Sequence, residues 1–336
     1  MSLTLQATVP QRDVAVALEV ADGETLALIG PNGAGKSTVL SLLAGALRPA
    51  SGRIVLDGQE LTGDGAWVPP HRRRIATLSQ DPVLFPHLSV LGNVRFALRA
   101  QGTARAQARS EARRWLGELD LLELSGRRPS QLSGGQAQRA AIARALAASP
   151  RLLLLDEPMA ALDVDVAPVL REQLRRSLAH RTALIVTHDL LDALTLADRI
   201  VVLERGRILE TGPTAEVLGR PRSAFAARFA GLNLLHGTWD GRQLRLATGE
   251  VLPAHSDLPA GTAVHAVFRP AAARLVGTGG LTRIVRSLAP RGDLIRVLAD
   301  DLAADLPPQE VAARRLAPGA TVTVAVAAES VTTYRS

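Results

Sequence analysis

The chain contains no cysteine, which excludes disulfides and thiolate-bound zinc and leaves its redox compartment open. Its seven histidines are scattered and form no H-E-x-x-H pair, so composition offers no zinc-hydrolase site. Aromatic residues are only 3% of the total, and none occurs in residues 1–66. No apolar run reaches the roughly 18 residues needed to cross a bilayer, and residues 1–10 lack the charged and apolar regions of an export signal. The expectation is a chain that neither spans a membrane nor is exported. Lysine is scarcest among the basic types: of 39 basic side chains, only Lys36 is not arginine. A site that keeps a lone ammonium in an arginine-rich chain suggests a need for a compact, flexible point charge, which a planar guanidinium does not supply.

What is present around Lys36 explains that need. Gly30, Pro31, Asn32, Gly33, Ala34, Gly35, Lys36, Ser37 and Thr38 form a G-x-x-x-x-G-K-S loop. A short apolar, β-prone run (residues 25–29) precedes it, and a helical segment (residues 39–44) follows. Backbone N–H groups and the positive end of the helix converge on anionic oxygens in such a loop. Lys36 then reaches the β- and γ-phosphates and the Ser37 hydroxyl reaches Mg²⁺.

At 336 residues with 47% hydrophobic content, the chain is long enough for two domains with real cores. The net charge of +7 is spread along the sequence and reads as a solvated arginine-rich surface, not a nucleic-acid stripe. The clusters Arg72-Arg73-Arg74 and Arg127-Arg128 are read the same way. Residues 1–20 are strand-like, residues 54–56 form a strand, and residues 90–148 are helical in pattern. Apolar runs at 152–155 and 183–187, separated by a helix near 167–179, follow β-α-β logic for a parallel sheet. Residues 200–203 and 207–209 read as a hairpin. Beyond about residue 232, short strands punctuated by Gly and Pro take over, placing a boundary near Gly231.

The run at 152–155 delivers Asp156 to the C-terminal edge of a strand, where parallel sheets bind ligands, and there it suits Mg²⁺. Glu157, the next residue, is the natural general base for an attacking water. Upstream, Leu132, Ser133, Gly134, Gly135 and Gln136 precede a helical stretch from Ala137 to Ala148, a second donor-rich anion site.

GPNGAGKST, Gln80-Asp81, LSGGQ, LLLLDEP, Ala161-Leu162-Asp163 and Thr187-His188-Asp189 occur in that order. This set resembles the nucleotide-binding subunit of ATP-binding cassette (ABC) transporters over roughly residues 1–231. The resemblance implies an α/β P-loop ATPase domain at 1–231, with a helical subdomain at about 83–150. It also implies a homodimer in which two ATP molecules are sandwiched head to tail, each nucleotide meeting the LSGGQ segment of the other copy. By the same resemblance Gln80 is a Mg²⁺ ligand that senses a membrane partner, and Asp163 contacts the opposite copy. His188 holds the γ-phosphate and the water near Glu157. One departure stands out: the family stacks adenine on an aromatic residue ahead of the lysine loop, and this chain has none there. ATP is still expected, with less discrimination against GTP.

The segment 69–90 resembles prokaryotic importers for oxyanions, metals and related solutes. Val267-Phe268-Arg269-Pro270 and residues 281–334 resemble the small all-β, OB-like accessory domain of the TOBE type, related to molybdate-binding modules, at 232–336. Among these importers, the missing adenine aromatic and a single short accessory module are most similar to molybdate or tungstate importers, with sulfate, ferric iron, thiamine, polyamine or sugar importers as alternatives. The implied partners are integral membrane permease subunits and, through them, an extracytoplasmic solute-binding protein. The implied location is the cytoplasmic face of the membrane, with no nucleic-acid partner. A soluble ABC ATPase, or an oxyanion sensor in which hydrolysis is secondary, remains as a reading from another class.

Overall fold

The computed structural model describes residues 3–160, 162 and 166–336, and the chain divides into two units, 1–214 and 215–336.

In the first unit a six-stranded sheet runs, edge to edge, Arg207–Pro213, Arg199–Glu204, Thr25–Ile29, Ala183–Val186, Leu152–Asp156, Ile75–Leu78. All neighbours pair parallel except the edge strand Arg207–Pro213, which returns through the hairpin expected from sequence. Thr25–Ile29 is buried throughout and Leu152–Asp156 nearly so, as continuous apolar runs in a two-sided parallel sheet must be. Period-two alternation then splits the side chains between two cores. Leu152 and Leu154 face a core shared with the Lys36–Ala44 helix and an antiparallel four-stranded sheet (Leu3–Val9, Val14–Val20, Ser51–Leu56, Gln59–Thr62). Leu153 and Leu155 face a helical core built by Val90–Ala100, Arg105–Glu118, Gly134–Ala147 and Ala167–Leu178.

One sequence expectation is corrected here. Arg73, read as part of a solvated cluster, is only 1% exposed. Its guanidinium donates to the carbonyls of Leu42 (2.9 Å) and Leu43 (3.0 Å), to Val68 O (2.8 Å) and to Thr62 Oγ1 (3.0 Å), with the Trp67 ring 4.7 Å away. Both carbonyls belong to the last turn of the Lys36–Ala44 helix, where backbone donors run out: Leu42 O keeps only the capping Gly45 N–H (3.2 Å), and Arg73 supplies a donor to both. Arg73 therefore finishes the helix whose first residue is Lys36. Burial among neutral acceptors pulls its pKa below the usual guanidinium value. Its neighbours Arg72 and Arg74 are exposed, as expected.

The second unit is β-rich, as the sequence indicates. One five-stranded antiparallel sheet runs Val251–Pro253, Gln243–Leu246, Asn233–Trp239, Ala263–Phe268, Thr332–Arg335. The other runs Arg274–Val276, Thr321–Ala325, Leu281–Arg291, Leu294–Ala299, Leu302–Leu306. Both contribute to one core that includes Leu235, Trp239, Phe268, Val285, Val297 and Val324. The short helix Ala224–Phe229 contacts the Asn233–Trp239 strand and belongs to this unit.

Candidate functional site

The phosphate loop joins the central strand Thr25–Ile29 to the helix Lys36–Ala44, so the helix starts at Lys36 itself, three residues earlier than the sequence pattern indicates. Gly35 caps it in a left-handed conformation (φ +105°), and a β-carbon there would lie 2.8 Å from Val14 Cγ2. At Gly30 a β-carbon would collide with the Leu203 carbonyl oxygen. Glycine is required at both places by contact with the neighbouring strands, so these two residues fix the loop against the sheet.

Lys36 Nζ donates to the carbonyls of Gly30 (2.7 Å) and Pro31 (3.0 Å), which folds the side chain back along the loop. Burial lowers its pKa, while the charges of Glu157 and Asp156 act in the opposite sense. Those carboxylates reach it from the end of the Leu152–Asp156 strand. Asp156 is pushed up, by burial first and by the Glu157 charge second, with Lys36 pulling it back down. A cavity of about 480 Å³ is lined by Asn32 to Thr38, Gln80, Asp156, Glu157, Val186 and Arg12. The structure thus gathers the loop, Gln80 and both carboxylates around one space. Ser37, Gln80 and Asp156 contribute a hydroxyl, an amide carbonyl and a carboxylate to it, the hard oxygen donors that Mg²⁺ prefers.

Glu157 is held at φ +48°, a left-handed conformation that a non-glycine residue adopts at a cost of about 1–3 kcal/mol. Its backbone N–H donates to Val186 O (2.9 Å) and its carbonyl accepts from Ala160 N (3.1 Å), bonds that keep the turn in place. The side chain lies 3.1 Å from His188 Nδ1 through Oε1. His188 follows the strand Ala183–Val186 and is flanked by two anchored residues. The Thr187 hydroxyl accepts from Asp189 N (3.0 Å) and donates to Asp192 Oδ2 (3.1 Å). Asp189 caps the Leu190–Leu196 helix by accepting from Leu191 N (2.6 Å). Asp192, 2% exposed, is paired with Arg171 at 2.7 Å. Its burial still raises its pKa against that pull.

The LSGGQ segment lies apart from the cavity just described, and none of its residues lines it. Here the structure corrects one detail. Gly134 and Gly135 do not precede the helix but form its first turn, because Ser133 is the N-cap of Gly134–Ala147. Ser133 Oγ accepts from Gln136 N (3.3 Å) and Gln136 Oε1 accepts from Ser133 N (3.0 Å), a capping box that satisfies the helix entry from within. Ser133 and Gly134 are exposed, leaving the Ser133 hydroxyl proton free to donate outward. Asp163 lies outside the described residues.

Several site residues escaped the sequence reading. Arg12 is a wall of the nucleotide-loop cavity. Asn93, fully buried, accepts from Phe85 N (2.8 Å) and donates to the carbonyls of Phe85 (3.2 Å) and Ser89 (3.1 Å), tying the segment after Gln80 to the Val90–Ala100 helix. Gln138 in the LSGGQ helix donates to Pro158 O (3.1 Å), the residue after Glu157. The signal for Gln138, Asp192 and Asn93 was a polar residue at a core position of an otherwise apolar helical stretch, a pattern that marks burial without naming the partner.

The family model for ABC transporters matches residues 14–160. The molybdenum import ATP-binding protein ModC of Mycobacterium tuberculosis (strain H37Rv) is 45% identical, covering 98% of this chain and 96% of its own length. The molybdate/tungstate import ATP-binding protein WtpC of Thermococcus kodakarensis is 41% identical, covering 72% of each chain. Among solved structures, the dimeric post-hydrolysis state of the ATP-binding cassette MJ0796 bound to ADP and Pi is 29% identical with a TM-score of 0.56. That match covers 63% of this chain and 98% of MJ0796. With a phosphate loop, paired strand-end carboxylates and a capped LSGGQ helix in one fold, and with 45% identity across nearly the whole of a known member, this chain belongs to the ABC transporter ATP-binding proteins.

Proposed function

We propose that this chain is the ATPase subunit of a molybdate or tungstate importer. The observation that carries the reading is the extent of the likeness to ModC: it runs through the β-rich unit as well as the ATPase unit, covering 98% of the chain. In this reading Lys36 and the loop N–H groups from Gly33 to Thr38 hold the triphosphate. Ser37, Gln80 and Asp156 would hold Mg²⁺, which would offset phosphate charge there. Glu157 accepts the proton of the attacking water, and His188, held between the anchored Thr187 and Asp189 and 3.1 Å from Glu157, steadies that water and the γ-phosphate. A second copy supplies Leu132 to Gln136 to the nucleotide, with Asp163 at the contact between copies. Closure of this dimer moves permease subunits at the cytoplasmic face of the membrane through the surface around Gln80, and hydrolysis resets it. The permease receives solute from an extracytoplasmic binding protein.

The test is to purify the assembled complex in lipid with its binding protein and measure ATP turnover against added oxyanions. Molybdate or tungstate is expected to stimulate turnover at micromolar concentrations where sulfate does not. Stimulation by sulfate alone, or by no oxyanion, contradicts the solute assignment.

A further inference from the structure

Arg12 ends the short 3-10 turn Pro10–Arg12 between the strands Leu3–Val9 and Val14–Val20, and its side chain is exposed. It lines the same cavity as the phosphate loop, and its Nη1 donates to Thr38 Oγ1 over a long 3.4 Å. Among the described residues it forms no ion pair, while the carboxylates of the cavity, Asp156 and Glu157, act on Lys36. The cavity therefore holds two cations in different settings. Lys36 is tied to loop carbonyls and opposed by acids, whereas Arg12 stands at Thr38 with one weak bond to a neutral hydroxyl.

A nucleotide with its phosphates on the loop must place its base against some wall of this cavity. Among the described residues no aromatic side chain lines it. Its hydrophobic lining is Ala34 and Val186, and of these Ala34 is a buried part of the loop and Val186 a buried strand end. Among the described lining residues Arg12 alone offers an exposed guanidinium, a broad planar cation on a long stem, whereas the exposed Gln80 and Asn32 offer only small neutral amides. A guanidinium stacks on aromatic rings through both its plane and its charge. We infer that Arg12 is the base platform: its guanidinium lies against the purine of the nucleotide whose phosphates Lys36 holds. A plane that offers stacking without reading the ring edge binds adenine and guanine alike, so Arg12 sets a preference for purines over pyrimidines with little choice between ATP and GTP. This inference rests on the ATPase reading above and adds what holds the base.

The experiment compares full-length wild type with Arg12→Ala, Arg12→Lys and Arg12→Trp for equilibrium binding of ATP, GTP, CTP and inorganic tripolyphosphate, with KM and kcat for ATP. Arg12→Ala is expected to weaken ATP and GTP by on the order of tenfold, as loss of one base-stacking contact does, and tripolyphosphate by less than about twofold. The loss falls on KM more than on kcat. Arg12→Trp, a plane without charge, restores purine binding, and Arg12→Lys, a charge without a plane, does not. Equal losses for ATP and tripolyphosphate with rescue by lysine would make Arg12 a phosphate contact and overturn the inference. Unchanged ATP binding in Arg12→Ala would overturn it as well. Both results leave the ATPase reading standing, whereas a wild type that binds none of the triphosphates removes that reading and this one together.

Discussion

At the residue scale, the site depends on two side chains held in uncommon circumstances, Glu157 in a left-handed backbone conformation and Arg73 charged within the core. Arg73 yields the sharper prediction. Lysine in its place keeps the charge but cannot fork to the Leu42 and Leu43 carbonyls, Val68 O and Thr62 Oγ1 together. Each buried acceptor left without a donor costs about 1–3 kcal/mol, so Arg73→Lys is expected to destabilise the ATPase unit by about 2–4 kcal/mol, read from the urea midpoint. A change under about 0.5 kcal/mol would mean that the helix end finds other donors. The same residue marks where sequence reading stops. Three consecutive arginines look alike on paper, and only the fold decides that the middle one faces the carbonyls of a helix some thirty positions earlier. Arg12 was hidden for the same reason, since its relation to Thr38 exists in space and not in spacing.

At the scale of elements, what was legible is what the chain writes locally. The phosphate loop, the apolar strand ending in Asp156 and the hairpin at 199–213 each carry their signal within a dozen or so residues, and each stands where the pattern places it. Helix starts were misplaced by about a turn at both Lys36 and Gly134, because glycine-rich entries are poor helix formers made helical by their caps. Cross-strand pairs were not legible at all. In the β-rich unit, His236 on the Asn233–Trp239 strand faces His265 on Ala263–Phe268, with Nδ1 atoms 2.6 Å apart, and the Tyr334 ring packs 5.4 Å from His265. Burial, the neighbouring His236 and Arg222 together pull His265 down to about 4. The unfolded chain takes up this proton near the ordinary histidine value of 6.5, so acid favours unfolding across the interval between the two. The stability of this unit is expected to be full above pH 6.5 and to fall as the pH drops towards about 4. His265→Phe should flatten that slope in urea titrations at a series of pH values. An equally steep slope in the variant would assign the acid sensitivity to other groups.

On the scale of the whole molecule, the proposed function makes the chain one half of a shared site. The chain gathers the phosphate loop, Gln80, Asp156 and Glu157 around one cavity and leaves Ser133 and Gly134 of its capped LSGGQ segment exposed outside it. A capped helix entry with its polar groups already ordered, yet with no part in its own copy's cavity, fits the proposed role of meeting the nucleotide of a second copy. The account therefore turns on shared enclosure of the triphosphate. The most direct test is the solution mass of Glu157→Gln, by light scattering, with and without Mg²⁺ and ATP. The account predicts that this variant binds ATP, loses at least about a hundredfold in turnover, doubles its mass when ATP is added, and stays single when Ser133 is also replaced by Arg. Retention of wild-type turnover, or a mass that stays that of one copy with ATP bound while the wild type hydrolyses at a rate independent of protein concentration, would contradict it.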